Sequence, residues 1–337
     1  MRTAGLIGRR SGPGGASVGV VTALESPDRR WLRRYVLAAV VVAVLSSGAC
    51  APAPPVVATI AVGSSPGLPV VLPDGSAVYV PNLDGTVSVI ETATNEVIAT
   101  VPVGPGLGSP LGVLPDGSAV YVPNVEGKVS VIDTVTNEVT ATIRAGSGSY
   151  SSTGLSAGLV VLPDGSAVYA VLARSDREGM VSAIDTTTNE VTATAPVGRG
   201  SGSPVVLPDG SAVYVPNQDL SSVLADGTVS VVDTGTNRVI ATVPVGRGSG
   251  PLAVLPDGSA VYAQAGPEVA VIDTVTNEVT ATVDIGRSSG GDPAVSPDGS
   301  AVYIGNSNGT VSVIDTTTNE LTATVDVGRA ATHGFPV

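Results

Sequence analysis

Three observations in this sequence predict an all-β fold, a β-propeller built from four-stranded antiparallel blades. One segment of roughly forty to forty-eight residues is written six times along the chain. Each copy is a series of short runs rich in Val, Ile, Thr and Tyr, separated by turn residues. Gly (42) and Pro (26) are abundant in the 337 residues, and runs of Leu, Lys and Glu that would favour helices are scarce. A repeat of this period and pattern means stacked or ring-arranged sheets, and six copies predict six blades. A seven-fold ring with an incomplete last blade is the alternative.

The elements follow in order within each copy. Strand A is the apolar run before Pro-Asp-Gly, as in Pro69 to Leu72. The Asp-Gly turn recurs at Asp74, Asp116, Asp164, Asp209, Asp257 and Asp298, and it delivers strand B as a hairpin partner, as in Ala77 to Val80. Strand C is Thr86 to Ile90, and its end turns through a Thr-Asn pair that recurs at Asn95, Asn137, Asn189, Asn237, Asn277 and Asn319. Asn tolerates the left-handed conformation that a tight turn requires. Strand D, Val97 to Val103, carries Pro102, and its fourth copy carries Pro244. A missing amide donor is tolerated on an outer edge strand. Strands A and B are apolar at consecutive positions, as sheets covered on both faces must be.

Tyr79-Val80-Pro81-Asn82, Tyr121-Val122-Pro123-Asn124, Tyr214-Val215-Pro216-Asn217 and Tyr303-Ile304-Gly305-Asn306 carry a family resemblance. With the surrounding Pro-Asp-Gly, Val-Ser-Val-Ile-Asp and Thr-Asn segments, the chain from 56 to about 330 resembles the Tyr-Val-Thr-Asn (YVTN) β-propeller repeat. Tyr169 to Leu172 and Tyr262 to Ala265 depart from it by losing the asparagine. The resemblance implies an exported or surface propeller, usually of seven blades. Strands A, B and C occur six times here, whereas strand D occurs seven times, because Val56 to Gly63 precedes the first strand A. That surplus strand is expected to clasp the ring, in competition with Leu321 to Val327 for the edge of the last strand C. The local strand has the advantage of a short loop.

Residues 1–49 read as a signal peptide with a long amino-terminal region. Arg29, Arg30, Arg33 and Arg34 precede the apolar run Tyr35 to Leu45, and Ser46-Ser47-Gly48-Ala49-Cys50 follows. This resembles a bacterial lipoprotein signal, with Cys50 as the lipidated residue, 50–55 a Pro/Ala tether, 56–330 the propeller and 331–337 a tail. Ordinary signal-peptidase cleavage is the alternative, and Cys50 is the only cysteine, which excludes an intrachain disulfide. Seven of 16 basic and two of 29 acidic residues lie before Cys50, leaving nine basic residues against 27 acidic ones. Such a surface repels nucleic acid and anionic headgroups, so the only expected membrane link is a lipid on Cys50.

Catalytic constellations are nearly absent. His333 is the one histidine, so no His-based triad or multi-His metal site can be assembled. The recurrent aspartates sit in turns, where capping explains them, and no cofactor is expected. Candidate binding residues come instead from variation in the repeat. The A–B and C–D turns are nearly constant, whereas the B–C and D–A connections vary, and antiparallel order puts those two classes at one end. There the third copy expands through Arg174, Asp176 and Arg177, and the fourth through Asp219 and Asp226. Arg199, Arg247, Arg287 and Arg329 follow strand D at equivalent positions and form a candidate anion-binding arc. The reading is a non-enzymatic exported scaffold that binds a protein, peptide or glycan at this end, in the envelope or secreted. A lyase- or lactonase-like propeller enzyme and a structural surface-layer component are the alternatives.

Overall fold

The computed structural model describes residues 58–106, 110–124, 126–146, 157–172, 178–218, 226–286 and 291–328. These residues form 24 strands in six four-stranded antiparallel sheets, each in the order A-B-C-D. Blade 1 is β1 (Val70–Val71), β2 (Ala77–Asn82), β3 (Thr86–Glu91) and β4 (Glu96–Pro102). Blade 2 is β5 (Gly112–Val113), β6 (Ala119–Pro123), β7 (Lys128–Asp133) and β8 (Glu138–Arg144). Blade 3 is β9 (Ala157–Val161), β10 (Ala167–Leu172), β11 (Glu178–Asp185) and β12 (Glu190–Arg199). Blade 4 is β13 (Val205–Val206), β14 (Ala212–Asn217), β15 (Asp226–Asp233) and β16 (Arg238–Arg247). Blade 5 is β17 (Leu252–Val254), β18 (Ala260–Ala265), β19 (Glu268–Asp273) and β20 (Glu278–Asp284). Blade 6 is β21 (Ala294–Val295), β22 (Ala301–Gly305), β23 (Thr310–Asp315) and β24 (Glu320–Asp326). The chain is thus a six-bladed β-propeller, as the six repeats predict.

The repeated letters act locally first. In the A–B turn of blade 1, Gly75 donates its amide to the Leu72 carbonyl at φ 75°, and Asp74 accepts from the Ser76 amide and hydroxyl. In the C–D turn of blade 2, Asp133 Oδ1 accepts from the amides of Val135 and Thr136 and from the Thr136 hydroxyl. Asn137 closes that turn at φ 56°, and its five equivalents have φ between 55° and 59°. The two turns of one blade are then joined, because the Thr134 hydroxyl donates to the Gly117 carbonyl at 2.6 Å. Each C–D pair also carries a bulge, so that Thr140 of β8 is an extra residue whose hydroxyl donates back to Val131.

Packing between blades follows one rule. In blades 1 to 5 the strand-B tyrosine is buried against the next blade and donates its hydroxyl to the turn asparagine there. Tyr79 bonds Asn137, Tyr121 bonds Asn189, Tyr169 bonds Asn237, Tyr214 bonds Asn277 and Tyr262 bonds Asn319, at 2.5–2.8 Å. Five apolar clusters accompany these bonds, one at each junction from blades 1 and 2 to blades 5 and 6. The first joins Tyr79, Val87, Val89, Val101 and Val103 to Val120, Val122 and Ile132.

Among the described residues no such cluster or tyrosine bond joins blade 6 to blade 1. Tyr303 is 38 % exposed where Tyr262 is 1 %, and Val325 is 38 % exposed where Val283 is 5 %. The side chains of Tyr303 and Asn95 have no hydrogen-bond partner among the described residues. The surplus strand D does not complete blade 6 either, since β24 pairs with β23 through its short turn. Instead residues 58–63 run to blade 1, where Gly63 lies against Asn82 and its amide approaches the Ser88 hydroxyl. Pro66 then bridges to Asn82, as Ser201 bridges to Asn217 in blade 4.

Candidate functional site

The end of the propeller that carries the B–C and D–A connections is built on a buried polar layer. Antiparallel order brings the last residue of strand B beside the start of strand C. In blade 1 Asn82 Nδ2 donates to the hydroxyls of Thr86 and Ser88, both at 3.0 Å. Asn217 repeats this with Thr228 and Ser230, and Asn306 with Thr310 and Ser312. The serine of strand C also holds the preceding blade: Ser130 donates to the Val103 carbonyl and Ser182 to that of Ala145. In blade 5 the asparagine is replaced by Ala265 and the serine by Ala270, so both halves of the pair disappear together.

On this layer the B–C turns project. Asp84 accepts from the Thr86 hydroxyl and amide and from the Ser64 amide and hydroxyl. The Thr86 hydroxyl first, and then the Ser64 amide, hold its carboxyl below the ordinary value of 3.8. Lys128 pairs with Glu126 at 2.7 Å, the one ion pair among the described residues.

Blades 3 and 4 stand out. Their strands C have eight residues and their strands D ten, against six and seven in the other four blades. The added length is a continuation of the hairpin beyond the common ring. At its tip Glu178 lies opposite Arg199 in blade 3, and Asp226 lies opposite Arg247 in blade 4. All four side chains are exposed. Two candidate arginines therefore sit at equivalent positions on adjacent blades, each across a ladder from an acid. The structure also brings Asp226 together with Arg247, which sequence reading had placed in separate groups. The spacing of Glu178 and Asp226 from the strand-C motif is the signal that links them. Arg287, Arg329, Arg174, Asp176, Arg177, Asp219 and Cys50 lie outside the described residues.

Chemically this end offers alternating exposed charges on two rigid hairpins, flanked by buried hydroxyls and amides. Such a surface suits polar recognition by hydrogen bonds and charge pairing. Among the described residues no group of three His, Cys, Asp or Glu side chains is placed to hold a metal ion.

The chain matches no protein-family model, and no curated protein is similar to it in sequence. Among solved structures it is similar to hydrazine synthase of Kuenenia stuttgartiensis, with a TM-score of 0.62 over 79 % of this chain and 89 % of that one. The two are 22 % identical, a likeness of fold.

Proposed function

We propose that this propeller is an exported binding scaffold without catalytic activity, and that it receives a protein, peptide or glycan at the end bearing the B–C and D–A loops. The extension of the blade 3 and blade 4 hairpins carries this reading. Turns at the opposite end are spent on internal capping bonds, whereas the Glu178–Arg199 and Asp226–Arg247 tips present charge to solvent. The YVTN-like repeat and the leader ending at Cys50 support a role at the cell envelope, with a lipid on Cys50 as the tether.

The test is affinity capture from the native envelope with the wild-type protein and two variants. One lacks 173–177 and 219–225, the stretches between strands B and C of blades 3 and 4, and the other carries Arg199→Ala, Arg247→Ala, Arg287→Ala and Arg329→Ala. A partner retained by the wild type and lost by both variants, at unchanged circular dichroism, is the expected result. Equal capture by all three would place binding elsewhere. Mass spectrometry of the native amino terminus reads the lipid on Cys50.

A further inference from the structure

Four successive blades carry a graded set of charges at the open ends of their C–D hairpins. In blade 2 two bases lie opposite each other in the ladder, Lys128 and Arg144. In blades 3 and 4 an acid lies opposite a base, Glu178 with Arg199 and Asp226 with Arg247. In blade 5 two acids lie opposite each other, Glu268 and Asp284. Lys128 is engaged by Glu126, whereas Arg144, Arg199 and Arg247 are exposed and form no ion pair among the described residues. An acid directly across the ladder therefore leaves the guanidiniums of Arg199 and Arg247 unpaired. The opposite end of the propeller, with the A–B and C–D turns, carries seventeen of the 27 acidic residues that follow Cys50 and a single base, Arg238. Most of the negative charge of the chain thus sits away from this row of bases.

We propose that this row binds a linear acidic polysaccharide with one carboxylate in every two sugars, laid across blades 4, 3 and 2. The proposal rests on the reading that this end of the propeller is the binding end, and it names the ligand. Packed sheets lie about 10 Å apart, so equivalent residues on adjacent blades are spaced by roughly two sugar units rather than one. Arg199 and Arg247 each take one carboxylate through the planar fork of the guanidinium. Arg144, beside Lys128 on the shorter hairpin of blade 2, takes the next. The acids belong to the same contact. Glu178 and Asp226 accept hydrogen bonds from the sugar hydroxyls that flank each carboxylate, so both members of a cross-strand pair are used. An acidic peptide brings carboxylates without those hydroxyl donors. Its side chains would also lack an apolar anchor on the two arms, where Val197 and Val245 are buried. Glu268 and Asp284 repel the polymer and end its path at blade 5. Because the bases stand on hairpins, little ordering is needed when the polymer binds.

The probe is a hyaluronan decasaccharide, which carries a carboxylate on alternate sugars, titrated into the full-length protein by isothermal calorimetry. A neutral chitin oligosaccharide of the same length and poly-glutamate are run beside it. Saturable binding of hyaluronan is expected, weakened by added salt and reduced at least about tenfold by Arg199→Ala with Arg247→Ala, at unchanged circular dichroism. Absent binding of hyaluronan, or equal affinity in wild type and variant, overturns the proposal. Chitin bound as tightly as hyaluronan overturns it too, because the carboxylate would then not be read. Poly-glutamate bound more tightly than hyaluronan overturns it in favour of an acidic peptide. The scaffold reading fails separately. An envelope partner captured by the wild type and lost with the loop deletion, together with absent hyaluronan binding, overturns the ligand assignment alone.

Discussion

Single residues show what the repeat letters do when their partners are present and when they are not. Tyr121 is buried and donates to Asn189, so Tyr121→Phe should cost about 1 kcal/mol of unfolding free energy, read by urea titration. Tyr303→Phe, chemically the same change on a free face, should leave the unliganded protein unaltered. Serines behave in the same conditional way. The Ser201 hydroxyl is shared between the Gly198 carbonyl and Asn217 Oδ1. Its equivalent Ser249 is buried with an unbonded hydroxyl, because Ala265 stands where the asparagine would be. Conversely Asn82 Oδ1 is buried and unbonded, because Pro66 stands where the serine would be. Ser249→Ala should therefore stabilise by about 1 kcal/mol and Ser201→Ala destabilise by about as much, a pair of opposite signs that thermal melting reads directly. A lower melting temperature for both would show that the Ser249 hydroxyl is not an uncompensated buried group.

At the scale of the element, the hairpin of strands C and D is where sequence and structure agree best and where they part. Asp-Thr-x-Thr-Asn was legible as a turn because its chemistry is local: a carboxylate, two hydroxyls and a residue that accepts positive φ. The bulge that follows was not legible, since the extra residue is only counted once both strands are aligned. Four bulges place a threonine there, Thr140, Thr192, Thr280 and Thr322, and each hydroxyl donates back to strand C. Blades 1 and 4 place Ile98 and Ile240, which are 52 % and 57 % exposed. Ile240→Thr should gain about 0.5 kcal/mol and reduce aggregation on heating, measured by light scattering. A lower melting temperature would show that the isoleucine has a packing role. Loop expansion in blades 3 and 4 was visible as extra length, but its meaning was not. Only pairing reveals that Glu178 and Asp226 begin longer strands and face Arg199 and Arg247. The same holds for the surplus strand D: its letters announce a strand, and its place against blade 1, outside any ladder, is a tertiary fact.

For the whole molecule, six similar blades mean that small local effects add along the ring and give the protein a defined pH window. Burial, with a turn aspartate nearby, pushes the phenols of Tyr79, Tyr121, Tyr169, Tyr214 and Tyr262 up to about 12 from 10. The folded state holds those protons more tightly than the unfolded chain does. The resulting stability is complete below pH 10 and is lost as pH rises through about 12. Tyrosinate absorbance should accordingly rise together with loss of the β signal in circular dichroism, in one steep step. Ionisation of all five without unfolding would refute this. On the acid side the Ser76 amide and hydroxyl hold Asp74 below its ordinary value, and the Ser296 hydroxyl, followed by Ser300, holds Asp298 at about 2. The folded state is favoured by these groups above about pH 4, and that advantage fades as pH falls towards 2. The tyrosine bonds carry one further consequence, which concerns order in time. Every bond runs from a blade to the one written after it, so Tyr79 waits for a partner 58 residues downstream. A chain synthesised from its amino terminus thus always has one unfinished blade at its growing edge, and it can complete blade 1 only once the turn of blade 2 has emerged. Assembly of this ring is vectorial, with each blade serving as the template and last component of its predecessor.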